Sequence, residues 1–216
     1  MGGAYPLRQC AVMDKEEQKH MDRVEEARRT LLALYGGSHS PLEESDPDFA
    51  AIKQRLVYGE LYAQEALDPV MRELILLAVA TTNQTMSEVK LHTCAALRSG
   101  ASPEAVKEAV YHCAPYIGLG KAEAAAAAVN EVLRTQGISL PLASQRTVSE
   151  EDRLTAGIAA QKSIFGPHID EMRAAAPNDK KPLQDYLSAY CFGDFYTRSG
   201  LDIRQRELLT FSILSA

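Results

Sequence analysis

Residues 68–82, DPVMRELILLAVATT, open with a helix-start signature and then run apolar on nearly every side. Asp68 suits an N-cap and Pro69 the first helical position, so a helix begins there. An amphipathic helix needs cover on one face, whereas this one needs it all round. It therefore predicts a central helix inside a shell of other helices. Only Arg72 and Glu73 interrupt the apolarity, both in the first turns.

The neighbouring segments read as that shell. Residues 20–35 carry apolar side chains at helical spacing and stop at Gly36-Gly37, and a second helix runs from about Asp48 to Gln64. Residues 85–100, TMSEVKLHTCAALRSG, form a helix ending at Gly100, a suitable C′ residue. Ser102-Pro103-Glu104 starts another, with an apolar stripe of Ala105, Val106, Ala109, Val110 and Cys113, broken by Pro115 and Gly118. An alanine-rich helix covers residues 120–135. No strand-like alternation occurs, so the expected class is all-α.

An internal repeat organises the rest. Aligned without gaps, YGELYAQEALDPVMRELILLAVATT (58–82) and FGDFYTRSGLDIRQRELLTFSILSA (192–216) share seven identities. Gly59, Tyr62, Leu67, Asp68, Arg72, Glu73 and Leu74 recur as Gly193, Tyr196, Leu201, Asp202, Arg206, Glu207 and Leu208. Upstream, LLALYG (31–36) answers QKSIFG (161–166). The reading is a tandem duplication: an arm over 1–19, a first repeat over 20–138, a Gly/Pro/Ser-rich linker over 139–149, and a partial second repeat over 150–216. The second copy reaches Ala216 before any counterpart of the 85–100 helix, so the expectation is a chain cut short.

Composition narrows the function. A net charge of −6 argues against nonspecific nucleic-acid binding, which needs a basic surface. The first twenty residues have no apolar signal-peptide core, and Pro6 stands where a myristoylation motif wants Ser or Thr. No apolar run approaches the ~20 residues of a membrane span. Cys10, Cys94, Cys113 and Cys191 form no CxxC and no metal-ligand spacing, so reduced thiols in a cytoplasmic protein and no metal site are expected.

The chemistry-bearing residues cluster in two helices. Glu88 and His92, four apart, share a helical face and can pass a proton near neutral pH. Thr85-x-x-Glu88 also matches a capping box, in which the glutamate merely ties down the helix start, and a solvated surface pair is the third option. Glu73 sits in a helix too apolar for the surface, and a buried carboxylate needs either a structural partner or a chemical task. Cys94 lies on nearly the opposite side of its helix from His92, which disfavours a Cys–His pair.

The segments DPVMRELILLAVA and EVKLHTCAALRSGASPEAVKEAVYHCAPYIG, followed by the alanine-rich helix, resemble the carboxymuconolactone decarboxylase family. That family lies in the superfamily that also holds alkylhydroperoxidase D-like proteins. The resemblance covers about 58–133 well, and 192–216 as a partial second copy. It implies an alkylhydroperoxidase D-like helical bundle. In the peroxidase branch a CxxC and a histidine on one helix work with a glutamate on the preceding helix. Aligned here, the glutamate falls on Glu73, the histidine on His92, and the two cysteines on Thr85 and Glu88. The missing thiols favour the decarboxylase branch over dithiol chemistry.

The reaction that branch implies is loss of CO2 from 4-carboxymuconolactone, with no metal or organic cofactor. By the resemblance, His92 is the acid or oxyanion partner, held by Glu88; Glu73 orients or recharges it; and Arg72 binds a carboxylate of a small anionic organic substrate. The family's hexamer-building single copies imply a homotrimer for a duplicated chain, with neither nucleic acid nor membrane as partner. Two other readings stay open: a thiol-dependent peroxidase accessory using Cys94 or Cys113, and a noncatalytic helical assembly protein.

Overall fold

A computed structural model describes residues 15–37, 40–64 and 66–216; Cys10 and most of the expected N-terminal arm lie outside them. Every regular element among the described residues is helical, as the sequence pattern requires. The chain divides into two units, residues 1–66 and 67–216.

In the first unit, α1 (Lys15–Tyr35) ends at Gly36, whose φ of 79° suits glycine. The second helix, α2 (Pro47–Gln54), widens into a π-helical run over Arg55–Leu61. Ala27, Leu31 and Tyr58 form the core of this pair. A Cβ on Gly59 would collide with the Arg23 carbonyl of α1, so only glycine lets the two backbones approach this closely. Arg23 also pairs with Glu60, the next residue.

The second unit is built around α3 (Pro69–Thr82), the helix expected to be central. It packs against α4 (Met86–Arg98), α5 (Pro103–Ile117), α6 (Leu119–Thr135) and α10 (Ile203–Ser215). Asp68 caps α3 by accepting from the Met71 amide at 2.9 Å, and Ser102 caps α5 by accepting from the Ala105 amide at 3.1 Å. Leu74, Leu77, Val89, Val106, Val110, Val129, Leu133 and Leu209 are fully buried around this axis. Each contributes about 1.5–3 kcal/mol of transfer free energy. The break expected at Pro115 is displaced to Gly118: α5 runs on past Pro115, which lies in its last turn, and Gly118 (φ 92°) ends the helix.

Residues 139–149, read as a linker, are tied to the turn before α10. The Gln145 carbonyl accepts from the Ser199 amide at 2.9 Å, and the Thr147 hydroxyl donates to the Thr197 carbonyl at 2.7 Å. A buried ion network anchors the same turn to α5. Arg198 Nε donates to both oxygens of Glu108 at 2.9 and 3.0 Å, and Arg206 Nη2 donates to Glu108 at 3.1 Å and to the Arg198 carbonyl at 2.8 Å.

Next come α7 (Arg153–Phe165), α8 (His168–Ala174) and α9 (Lys181–Tyr186), the last continuing into a second π-helical run over Leu187–Tyr196. Here α7 packs on the π-helical run through glycines on both sides. A Cβ on Gly157 would collide with the Ser188 carbonyl, and one on Gly193 with the Arg153 carbonyl. Arg153 then pairs with Asp194, Nε to Oδ1 at 2.8 Å.

These glycines separate close approach from mere helix propensity. Gly157→Ala is expected to destabilise the protein by about 1–3 kcal/mol through overpacking. Gly120→Ala, in α6 with nothing within 4 Å of its Cβ, is expected to be neutral or stabilising by up to ~1 kcal/mol. Urea unfolding midpoints of the two variants measure the difference.

Candidate active site

Helices α3 and α4 pack side by side, and each turns one carboxylate-bearing face toward the other. On α4, Val89 and Ala96 are buried and flank His92 at helical spacing, so the packing that buries them also carries the imidazole inward. His92 Nδ1 meets Glu73 Oε2 at 2.9 Å. Its other nitrogen, Nε2, lies 3.6 Å from Glu88 Oε2, within ion-pair range but beyond a hydrogen bond. Side-chain exposure is 1% for Glu73, 9% for His92 and 34% for Glu88, so the three run in order from core to surface.

The imidazole is therefore held by Glu73, where the sequence reading had Glu88 holding it. With Glu73 accepting at Nδ1, Nε2 is the nitrogen that faces the accessible side. The capping box does not form. Thr85 is the N-cap residue, yet its side chain makes no cap bond, and its hydroxyl donates instead to the Ala80 carbonyl at 3.3 Å. Glu88 lies within ion-pair range of His92, four residues on. Arg72 sits half-buried beside Glu73 in the chain and donates from Nη2 to the Leu67 carbonyl at 3.3 Å.

The described thiols are poor nucleophiles. Burial pushes Cys113 up to about 12 and Cys191 up to about 11, and Cys94, half-buried, is also raised by desolvation. A thiol in that range is protonated at neutral pH and does not supply the thiolate that redox chemistry needs. Among the described residues no group of three or more His, Cys, Asp or Glu side chains could hold a metal ion, and no helix is long and apolar enough to cross a membrane.

Residues 47–131, which contain Glu73, Glu88 and His92, match the carboxymuconolactone decarboxylase family. Over this segment the chain is similar to that family. It is also 29% identical over 98 residues to a 4-carboxymuconolactone decarboxylase of Acinetobacter baylyi, a match spanning 45% of this chain and 73% of that protein. The family segment thus takes in the whole Glu–His arrangement and stops within α6, before α10.

A second polar cluster, which the sequence reading missed, joins this family segment to the residues beyond it. His112, fully buried on α5, places Nε2 2.9 Å from the Thr210 hydroxyl on α10. Thr210 lies 2.9 Å from both the Tyr116 and Tyr196 hydroxyls, and these two lie 3.1 Å apart. Tyr196 donates to Glu207 at 2.6 Å. His112 Nδ1 is buried without a hydrogen bond among the described residues. His112 and Tyr116 lie 80 to 98 residues from their partners, so no local spacing reveals those contacts. The usable signal was Glu207 itself, standing in register with Glu73.

Burial, reinforced by the Arg206 guanidinium, pushes His112 down to about 3, so the ring is neutral in the folded protein at ordinary pH. The unfolded chain takes up this proton near 6.5 and the folded chain only near 3. Below 6.5 the unfolded state therefore binds more protons, and stability present above that pH is lost as pH falls toward 3. The slope from this residue is about 1.4 kcal/mol per pH unit. Urea midpoints between pH 7 and 4 are expected to fall more steeply for the wild type than for His112→Gln.

Proposed function

We propose that the chain is a cofactor-free decarboxylase, removing CO2 from a small carboxylated lactone of the carboxymuconolactone kind or a related unsaturated acid. The observation that carries this reading is the buried His92 imidazole, hydrogen-bonded at 2.9 Å to a fully buried Glu73 and facing Glu88 at 3.6 Å. The match of residues 47–131 to the family and the similarity to a relative named for this reaction support it.

The proposed chemistry follows from the substrate class. When the carboxylate leaves as CO2, the electrons of the broken carbon–carbon bond flow through the ring alkene into the lactone carbonyl, giving a dienolate. The protein must then stabilise negative charge and return one proton to carbon. His92, as imidazolium, delivers that proton from Nε2. Glu73 at Nδ1 fixes the ring's orientation and stabilises its positive charge, a role favoured by its complete burial. Glu88, on the exposed side, recharges His92 from solvent. Arg72 is assigned to a substrate carboxylate, since a chain of net charge −6 must meet an anion with a locally placed cation.

Assays of CO2 release from γ-carboxylactones and β-keto acids, with a peroxide control, test the reading. His92→Ala is expected to lower kcat/KM ~100-fold or more, and Glu73→Gln and Glu88→Gln by ~10-fold or more, without loss of fold. Full turnover in both Glu88→Gln and His92→Ala would overturn the assignment.

The thiols give a separate check. In the native protein at pH 7, Cys113 and Cys191 are expected to resist alkylation until the chain unfolds, as read by peptide mass, and Cys94→Ser is expected to turn over at the wild-type rate. Peroxide turnover lost in a single Cys→Ser variant would instead establish the thiol peroxidase reading.

A further inference from the structure

The second polar cluster repeats the setting of the first site with the Tyr196 hydroxyl, in place of an imidazole, on the glutamate. Glu207 occupies the position of Glu73 in the register that aligns Gly59, Tyr62, Asp68 and Arg72 with Gly193, Tyr196, Asp202 and Arg206. Local geometry follows this register. Gly59 and Gly193 each lie in a π-helical run and each abut the carbonyl of an arginine on a preceding helix, Arg23 and Arg153. Each arginine pairs with the acidic residue after the glycine, Glu60 and Asp194. Asp68 and Asp202 each cap the helix that carries the glutamate.

We propose that Glu207, held by the Tyr196 hydroxyl at 2.6 Å, is the carboxylate of a second proton-transfer centre acting on the same class of small carboxylated substrate. This rests on the decarboxylase reading above. Glu207 is half-buried; its Oε1 is committed to Tyr196, while Oε2 makes no hydrogen bond among the described residues. The free oxygen is the one that reaches substrate.

Behind it the donors run in one direction. Tyr196 has a single proton and gives it to Glu207, so its oxygen accepts from Thr210 or Tyr116. With Nε2 protonated, His112 donates into Thr210. The chain of exchangeable protons thus runs from a buried neutral imidazole through Thr210 and Tyr196 to the carboxylate. It holds Glu207 in one orientation while leaving Oε2 to change its protonation.

The step balances as follows. The substrate carbon–carboxylate bond breaks, CO2 leaves, and the electron pair stays on the substrate as an enolate. The enolate carbon takes the proton from Glu207 Oε2, and the resulting carboxylate regains a proton from water.

A purely structural role makes a different prediction, because a glutamine oxygen accepts the Tyr196 bond equally well. The full-length chain is therefore assayed for CO2 release as wild type, Glu73→Gln, Glu207→Gln, Tyr196→Phe and Glu73→Gln/Glu207→Gln, with unfolding midpoints as the folding control. Turnover surviving in Glu73→Gln is expected to fall a further ~10-fold or more in the double variant, and Tyr196→Phe to reproduce most of the loss of Glu207→Gln. Equal rates for Glu73→Gln and the double variant, or no residual turnover in Glu73→Gln, overturn the proposal.

If the wild type releases CO2 from no acid in the panel, the decarboxylase reading fails by itself. Carbodiimide-driven coupling of glycinamide to Glu207, read by peptide mass, then decides the second centre. Slowing of that coupling by a panel acid supports a substrate-facing carboxylate at Glu207, and coupling unaffected by every acid overturns it.

Discussion

The hydrogen bond between Glu73 and His92 is the constraint on which the packing of α3 against α4 depends. A carboxylate 1% exposed inside an apolar helix costs several kcal/mol unless a partner of matching chemistry meets it. Helix α4 supplies that partner at 2.9 Å, which fixes the register of α3 against α4. Sliding α4 by one residue would turn His92 about 100° away and drive Leu91 or Thr93 toward the carboxylate. Burial of Val89, Ala95 and Ala96 and presentation of the imidazole are one requirement, met by one face of one helix.

Much of this was legible in the sequence, because its signals are local. The all-round apolarity of residues 70–80 placed α3 at the centre, and Asp68-Pro69 and Ser102-Pro103 set helix starts whose cap bonds are present. Glu73, Glu88 and His92 stood out by residue type and spacing, and the structure brings all three together. The capping motif at Thr85 was legible too, but misleading. Thr85 and Glu88 have the right spacing, yet a buried imidazole next to Glu88 competes for its carboxylate, and the backbone amides are left to other arrangements.

What escaped the sequence depends on distant partners. The π-helical runs at 55–61 and 187–196 arise where glycine lets another helix's carbonyl press against the backbone, and nothing in LVYGEL or AYCFGDF specifies that approach. The Arg198–Glu108–Arg206 network joins residues 90 and 98 apart. Arg206 stood out only as the counterpart of Arg72 in the repeat. Its complete burial is offset through Nη2 alone, which donates to Glu108 and to the Arg198 and Ser199 carbonyls. Its Nε and Nη1 are buried without a hydrogen bond among the described residues. The network also explains why the Gly/Pro/Ser-rich segment is not a free linker: the turn it hydrogen-bonds to is anchored to α5 by buried charge.

The two in-register glutamates differ in the groups that hold them, and that difference governs what each can do. An imidazole has two nitrogens, so Glu73 can fix one while the other exchanges protons with a substrate or with Glu88. A phenol has one oxygen: once Tyr196 donates to Glu207 its proton is committed, and exchange must occur at the carboxylate's own free oxygen. The first arrangement moves the working atom off the glutamate and onto histidine, whereas the second leaves it on the glutamate. Neither arrangement contains sulfur, and burial raises the thiols of Cys113 and Cys191 far above neutral pH. A low-dielectric helical interior that strengthens carboxylate–donor pairs disables unassisted thiols, so proton transfer rather than thiol redox is the chemistry this packing favours.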